Sequence, residues 1–363
     1  MSKIAILDTG ISPRGLHCKT FRSYPVCQRE YEKTRSEVSH GTICARILDE
    51  FASDYELIGI QILPNDGEGR GKPMGLIEHL REGLLLCREL DPQIICLSAV
   101  TSILSDSKYL YPIARELSKR QTIVAALDNQ RYMTIPTCYP FVVGVQADIA
   151  NHLQPGEVAY HAKDRFYARI YANCGRELLR PYRYSPSNSF AVPVAAARIN
   201  EWINQGVEVK AALRTLRPYP GEEGATLLAW DEGLRQDLPI VAIWGSEEGE
   251  TYAACRSAIE ALHARHQVQA CALCSLEMEY DIRFRRLNVT EPMIGELFFM
   301  EYHYKTDLIF IAVREHERGE LLSQVTPDME IRIRGGSACF LYEDQQAQGS
   351  VQEIADKIVQ ILQ

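Results

Sequence analysis

Four side chains scattered along 363 residues have the types needed to open an acyl bond: Asp8, His40, Asn129 and Ser189. A serine hydroxyl is a weak nucleophile until a base takes its proton, and an imidazole does this near neutral pH. A carboxylate can hold that imidazole in one tautomer and stabilise its cation. A side-chain amide can donate to the oxyanion of a tetrahedral intermediate, and losing such a donor costs about 2.7–4 kcal/mol.

The elements that would carry these groups follow from the local pattern. In residues 183–199 a polar, turn-forming run (Ser185, Pro186, Ser187, Asn188) meets an Ala-rich apolar run of helical character. Ser189 falls at the junction, where unpaired N–H groups and the helix dipole favour developing negative charge. Taken alone it reads as a helix cap, and its companions reverse that reading. Pro193 lies early enough in such a helix to be tolerated. Residues 3–10 (KIAILDTG) read as a buried strand that delivers Asp8 at its carboxyl end. His40 opens a helix, and Gly41 allows close packing beside the ring.

Further apolar runs at 56–63, 93–98, 122–127 and 141–145 predict strands, with helices over 74–90 and 110–119 between them. Alternating strands and helices predict an α/β fold with a doubly wound, mostly parallel sheet over residues 1–215. Residues 216–237 read as a linker rich in Pro, Gly and acids. Residues 238–363 predict a second, smaller α/β domain, closed by a helix capped by Ser350 and Glu353. Its Gly245–Gly249 loop joins strand to helix but lacks a lysine, and its two acids would repel phosphate, so a plain turn is expected. Substrate recognition or formation of a homodimer is the expected use of this domain.

Composition removes several classes. A net charge of −9 argues against nucleic acid as a partner. No apolar run reaches the ~18 residues of a membrane span, and no secretory signal precedes the first strand. Of the eleven cysteines, Cys44, Cys87, Cys96 and Cys174 lie singly in apolar runs, as reduced thiols do, so a cytoplasmic protein is expected. Cys271 and Cys274 have a CxxC spacing without a second pair, so buried thiols are expected and neither a metal nor another cofactor.

Together these segments resemble the subtilisin-like serine proteases. Asp8 in Asp-Thr-Gly, His40 in His-Gly-Thr and Ser189 in Ser-Asn-Ser-Phe-Ala-Val-Pro match the family's Asp, His, Ser order. Residues 125–129 (AALDN) resemble the segment whose Asn129 is the oxyanion donor. The resemblance covers about residues 1–205. It implies a substrate lying extended between a loop with Gly67, Gly69, Arg70 and Gly71 and a strand end with Leu97, Ser98 and Ala99. It also implies a serine endopeptidase of narrow specificity that processes a ribosomally made precursor peptide. The sequence departs from the family at Ser187, Asp128, Val100 and Val194. Asp128 beside the oxyanion position either recognises a basic substrate side chain or weakens the site. The alternative to a protease is therefore an impaired peptide-binding protein that presents a precursor to a partner enzyme.

Overall fold

The computed structural model describes residues 1–27, 38–64, 75–130, 132–161, 168–220, 238–289, 292–343 and 345–362. The chain divides into two compact units, residues 1–101 with 106–226, and residues 102–105 with 227–363.

The first unit is built on an eight-stranded sheet. Its elements run β1 (Ser2–Asp8), β2 (Phe21–Pro25), α1 (His40–Phe51), β3 (Tyr55–Gln61), α2 (Ile77–Leu90), β4 (Ile94–Leu97), α3 (Ser107–Leu117) and β5 (Thr122–Ala126). There follow β6 (Val143–Ala147), β7 (Val158–Tyr160), β8 (Ala168–Ala172), α4 (Arg176–Leu179), α5 (Asn188–Asn204) and α6 (Val209–Thr215). The strand order is β2-β3-β1-β4-β5-β6-β8-β7, parallel throughout except for the β7/β8 pair. β1 pairs with β3 on one side and β4 on the other. The order therefore reverses at β1, and the carboxyl end of such a strand is where open α/β sheets build their sites.

Side-chain parity decides what faces the site. Along β1, Ile4 and Ile6 pack in one core with Ile43, Ile47, Phe190, Val192 and Val194 of α1 and α5. Asp8 has the same parity, so the strand aims its carboxylate at the side that carries α1 and α5. Ile94 and Cys96 of β4 lie in that same core, which puts Ser98 on the same side. α5 is apolar on nearly all faces and is buried from Phe190 to Ala197, as a helix at the centre of a domain must be. The opposite face of the sheet receives α2, where Gly83 lets the helix approach Ile62, Leu7 and Ile60.

The edges escaped the sequence pattern. β2 lies in a stretch expected to be irregular, and its burial is only partial. β7 and β8 are short and were not expected as strands. The stretch from residue 216 was expected as a linker, yet Tyr160 donates to Arg217 and accepts from Tyr219, both at 2.8 Å. Tyr219 also stacks on Tyr171 at 3.8 Å and donates to Asp148 at 2.6 Å.

The second unit is a seven-stranded sheet of order β11-β10-β12-β9-β13-β14-β15. Its strands are β9 (Ile240–Gly245), β10 (Ala270–Cys274), β11 (Phe284–Arg286), β12 (Leu308–Arg314), β13 (Met329–Arg334), β14 (Ser337–Tyr342) and β15 (Gln345–Ser350). Its helices are α7 (Glu248–His266), α8 (Ile294–His303), α9 (Arg318–Gln324) and α10 (Ile354–Leu362). The capping box of Ser350 and Glu353 forms as expected ahead of α10. In the Gly245–Gly249 loop, Glu248 holds Arg314 through bonds of 2.6 and 3.2 Å, which lowers its pKa. Gly245 is required by packing, since a Cβ there would meet Ile333 O at 2.7 Å. None of the eleven cysteines is disulfide-bonded, and no helix among the described residues is long and apolar enough to cross a membrane.

α1 approaches the end of β1 closely. A Cβ on Gly41 would lie 2.4 Å from Thr9 O and 3.2 Å from Asp8 Cβ, so the first turn of α1 tolerates no larger residue there. Gly41→Ala should lower stability by about 1–3 kcal/mol, as overpacking does. A thermal melt of the variant checks this, and an unchanged melting temperature would contradict the packing described.

Candidate active site

Three side chains from the sequence reading meet at the carboxyl edge of the first sheet. His40 Nδ1 lies 2.9 and 3.0 Å from the two Asp8 oxygens, and His40 Nε2 lies 3.1 Å from Ser189 Oγ. The Asp8 side chain is 1% exposed, whereas that of His40 is 23% exposed and open to a ligand. An ionised carboxylate that deep needs hydrogen bonds. Thr9 N–H supplies one at 2.7 Å and the imidazole supplies another.

α1 is started so that His40 points at Asp8. Its cap residue Ser39 accepts from Thr42 N–H at 3.2 Å and donates to Gly10 O. Gly41 N–H donates to Thr9 Oγ1 at 2.8 Å, which ties the first turn of α1 directly to the strand end. The imidazole face is held by Phe190, stacked at 4.9 Å. Its position next to Ser189 makes it a neighbour of the base, which the apolar helix pattern did not reveal.

The start of α5 is fixed by two devices. Pro193 has no N–H to offer the carbonyl four residues back. Ser98 Oγ–H donates to that Ser189 carbonyl instead, at 3.1 Å. Ser98 was expected to line a substrate groove that binds through main chain; its side chain is committed beneath the helix. The second device is Asn188, which in the sequence is only one member of a turn-forming run. Its buried amide accepts from Ala147 N–H at 2.8 Å and donates to Leu127 O and Asp128 O at 2.9 and 3.1 Å. One side chain thus sutures the helix start to the ends of β5 and β6.

The Asn188 backbone N–H donates to Asn129 Oδ1 at 3.0 Å. A backbone N–H only donates, so the Asn129 oxygen must face it and the amide NH2 faces away. Asn129 is exposed, and this leaves two donors open to a ligand. Among the described residues none accepts from the Ser189 N–H. An oxyanion at this edge could accept from the Asn129 amide and from the Ser189 N–H.

The remaining candidates are placed as follows. Asp128 Oδ2 accepts from Gln130 N–H at 2.6 Å, so its carboxylate closes its own turn. Leu97 is fully buried and could meet a ligand through its main chain alone, while Ala99 is half-buried. Gly67, Gly69, Arg70 and Gly71 lie outside the described residues. Cys44, one turn beyond His40, places Sγ 3.7 Å from His40 Nδ1. The ligand-type atoms of Asp8, His40 and Cys44 lie within 4.8 Å of one another. A metal there would have to displace the Asp8–His40 hydrogen bond.

No protein-family model matches the chain, and no curated protein matches it in sequence. Solved structures do show likeness. The prenylagaramide maturation protease PagA is 15% identical, over 57% of this chain and 78% of that one, with a TM-score of 0.38. A lanthipeptide protease is 14% identical, over 59% and 78%, with a TM-score of 0.41. The patellamide maturation protease PatA is 17% identical, over 57% and 80%, with a TM-score of 0.36. At so distant a likeness the chemistry is read from this chain's own side chains.

Two opposed effects set the basicity of His40. Burial favours the neutral ring, but the Asp8 carboxylate, with Cys44 beside it, outweighs this and raises the pKa well above 6.5. A base must be unprotonated to accept the Ser189 proton. Activity is then lost as pH falls through the raised value, so the acid limb of kcat/KM should lie above pH 6.5. In Asp8→Asn the midpoint should move to lower pH while the rate drops by about ten-thousand-fold. A pH–rate profile of the two proteins checks both. An acid limb at or below 6.5 in the unaltered protein would contradict the electrostatics.

Proposed function

We propose that the chain is a serine endopeptidase of the subtilisin-like kind. The observation that carries this is the continuous path from buried Asp8 through His40 to the Ser189 hydroxyl, with links of 2.9 and 3.1 Å. In this reading Ser189 Oγ attacks the peptide carbonyl carbon while its proton passes to His40 Nε2. Asp8 keeps the ring in the tautomer with the proton on Nδ1 and stabilises the imidazolium. Asn129 Nδ2 and the Ser189 N–H receive the oxyanion. His40 then gives its proton to the leaving amine, and water releases the acyl group by the same path in reverse.

The substrate belongs to the same proposal: a ribosomally made precursor peptide, cut at a narrow set of positions. This half extends the motif resemblance, whereas the hydrolase half is supported by geometry. A capture-only role for the groove would need the oxyanion position spoiled. The Asp128 carboxylate accepts from Gln130 N–H, which supports the catalytic reading over a capture-only one.

Incubation with precursor peptides encoded beside the gene, read by mass spectrometry, tests both halves. The expected result is one or two defined cuts, absent in Ser189→Ala and slowed roughly 100- to 1,000-fold in Asn129→Ala. Cleavage that survives Ser189→Ala would overturn the mechanism. Broad digestion of casein with no preference for the precursors would overturn the substrate assignment.

A further inference from the structure

Ser187 occupies the cap position of α5, with extended backbone angles, φ −149° and ψ 165°. A serine there normally turns its hydroxyl onto the N–H groups of the first helical turn. This one does not; it makes no side-chain cap bond. Its Oγ lies 3.0 Å from the Oγ of Ser189 instead. A residue at which the sequence departs from the family pattern therefore touches the Ser189 hydroxyl.

Proton counting gives the direction of that bond. Asp8 only accepts, so the His40 nitrogen that faces both its oxygens, Nδ1, carries a proton. In the neutral ring Nε2 is then an acceptor. Ser189 has a single proton, and Nε2 at 3.1 Å receives it. Nothing is left for Ser189 to donate to Ser187, so Ser187 must be the donor.

We propose that Ser187 is a further catalytic residue, a second hydrogen-bond donor to the nucleophile oxygen. This rests on the protease reading above. Ser189 Oγ then has every direction assigned: the bond to Cβ, the proton to His40, one lone pair to Ser187 and the other to the substrate carbon. The hydroxyl is held in one rotamer with its attacking lone pair free. The bond also acts on charge. Oγ gains negative charge as its proton leaves, and again when the C–Oγ bond breaks during release of the acyl group. Ser187 stabilises that charge in both steps and keeps its own proton throughout. The proton removed from Ser189 goes to His40, and the one restored to it comes from water by way of His40.

Rates of inactivation by a fluorophosphonate test this, with the hydrolysis of p-nitrophenyl acetate followed in parallel. Ser187→Ala and Ser187→Gly should both react roughly 10- to 100-fold more slowly than the unaltered protein, the size of a hydrogen bond to a charged atom. Ser187→Thr, which keeps the hydroxyl, should recover most of the loss. The deficit should persist at every pH above the titration of His40, and both the formation and the breakdown of the acetyl-enzyme should slow in Ser187→Ala. Ser187→Ala reacting at or above the unaltered rate would overturn the proposal, as would Ser187→Thr reacting as slowly as Ser187→Ala. If the unaltered protein itself fails to react, the protease reading falls and this inference with it.

Discussion

A carboxylate with almost no exposure to water, Asp8, is the constraint to which the first unit conforms. Burying that charge is costly unless hydrogen bonds replace its hydration. The replacements are Thr9 N–H and the His40 ring, and obtaining the second requires α1 to start against the end of β1. Gly41 makes that approach sterically feasible, and Thr9 Oγ1 fastens it. The strand order places β1 where the sheet reverses direction, so the carboxylate emerges in the crevice that this topology creates. Fold and chemistry share one origin here. The electrostatic need of one residue fixes the His40 ring and, against the effect of burial, raises its pKa.

Ser189 is positioned by a different logic. α5 is held by apolar burial along its length, each large side chain contributing about 1.5–3 kcal/mol. Burial alone leaves the helix free to slide or rotate by small amounts. Directional bonds at its first turn remove that freedom. Ser98 satisfies the carbonyl orphaned by Pro193, and Asn188 binds three backbone groups from two strand ends. The bond from Asn188 N–H to Asn129 then orients that side-chain amide. A serine, a proline and two asparagines thus act as one unit, although none of them titrates.

The parts legible in the sequence were those where residue type and chemistry coincide. Asp8, His40 and Ser189 stand in short patterns at element boundaries, and buried strands announce themselves by apolar runs. Asn188 and Ser98 were not legible in their actual roles, because an amide or hydroxyl reveals nothing of its partner until the strands are paired. Phe190 was hidden in an apolar helix where any large side chain would fit the pattern. Ser187 was visible only as a departure, and its contact with Ser189 depends on a rotamer. β2 was missed because partial burial blurs alternation, and β7 because three residues are too few to show a pattern. In the second unit the ion pair of Glu248 with Arg314, 66 residues apart, could not be inferred from spacing.

The most direct test of this account is a proton NMR spectrum of the imidazole N–H region, recorded with histidine labelled by nitrogen-15. A proton on His40 Nδ1 shared with a buried carboxylate should resonate far downfield, coupled to a ring nitrogen, and should vanish in both His40→Ala and Asp8→Asn. A spectrum with no such resonance at any pH, or one whose signal survives the loss of Asp8, would contradict the claim that this hydrogen bond organises the site.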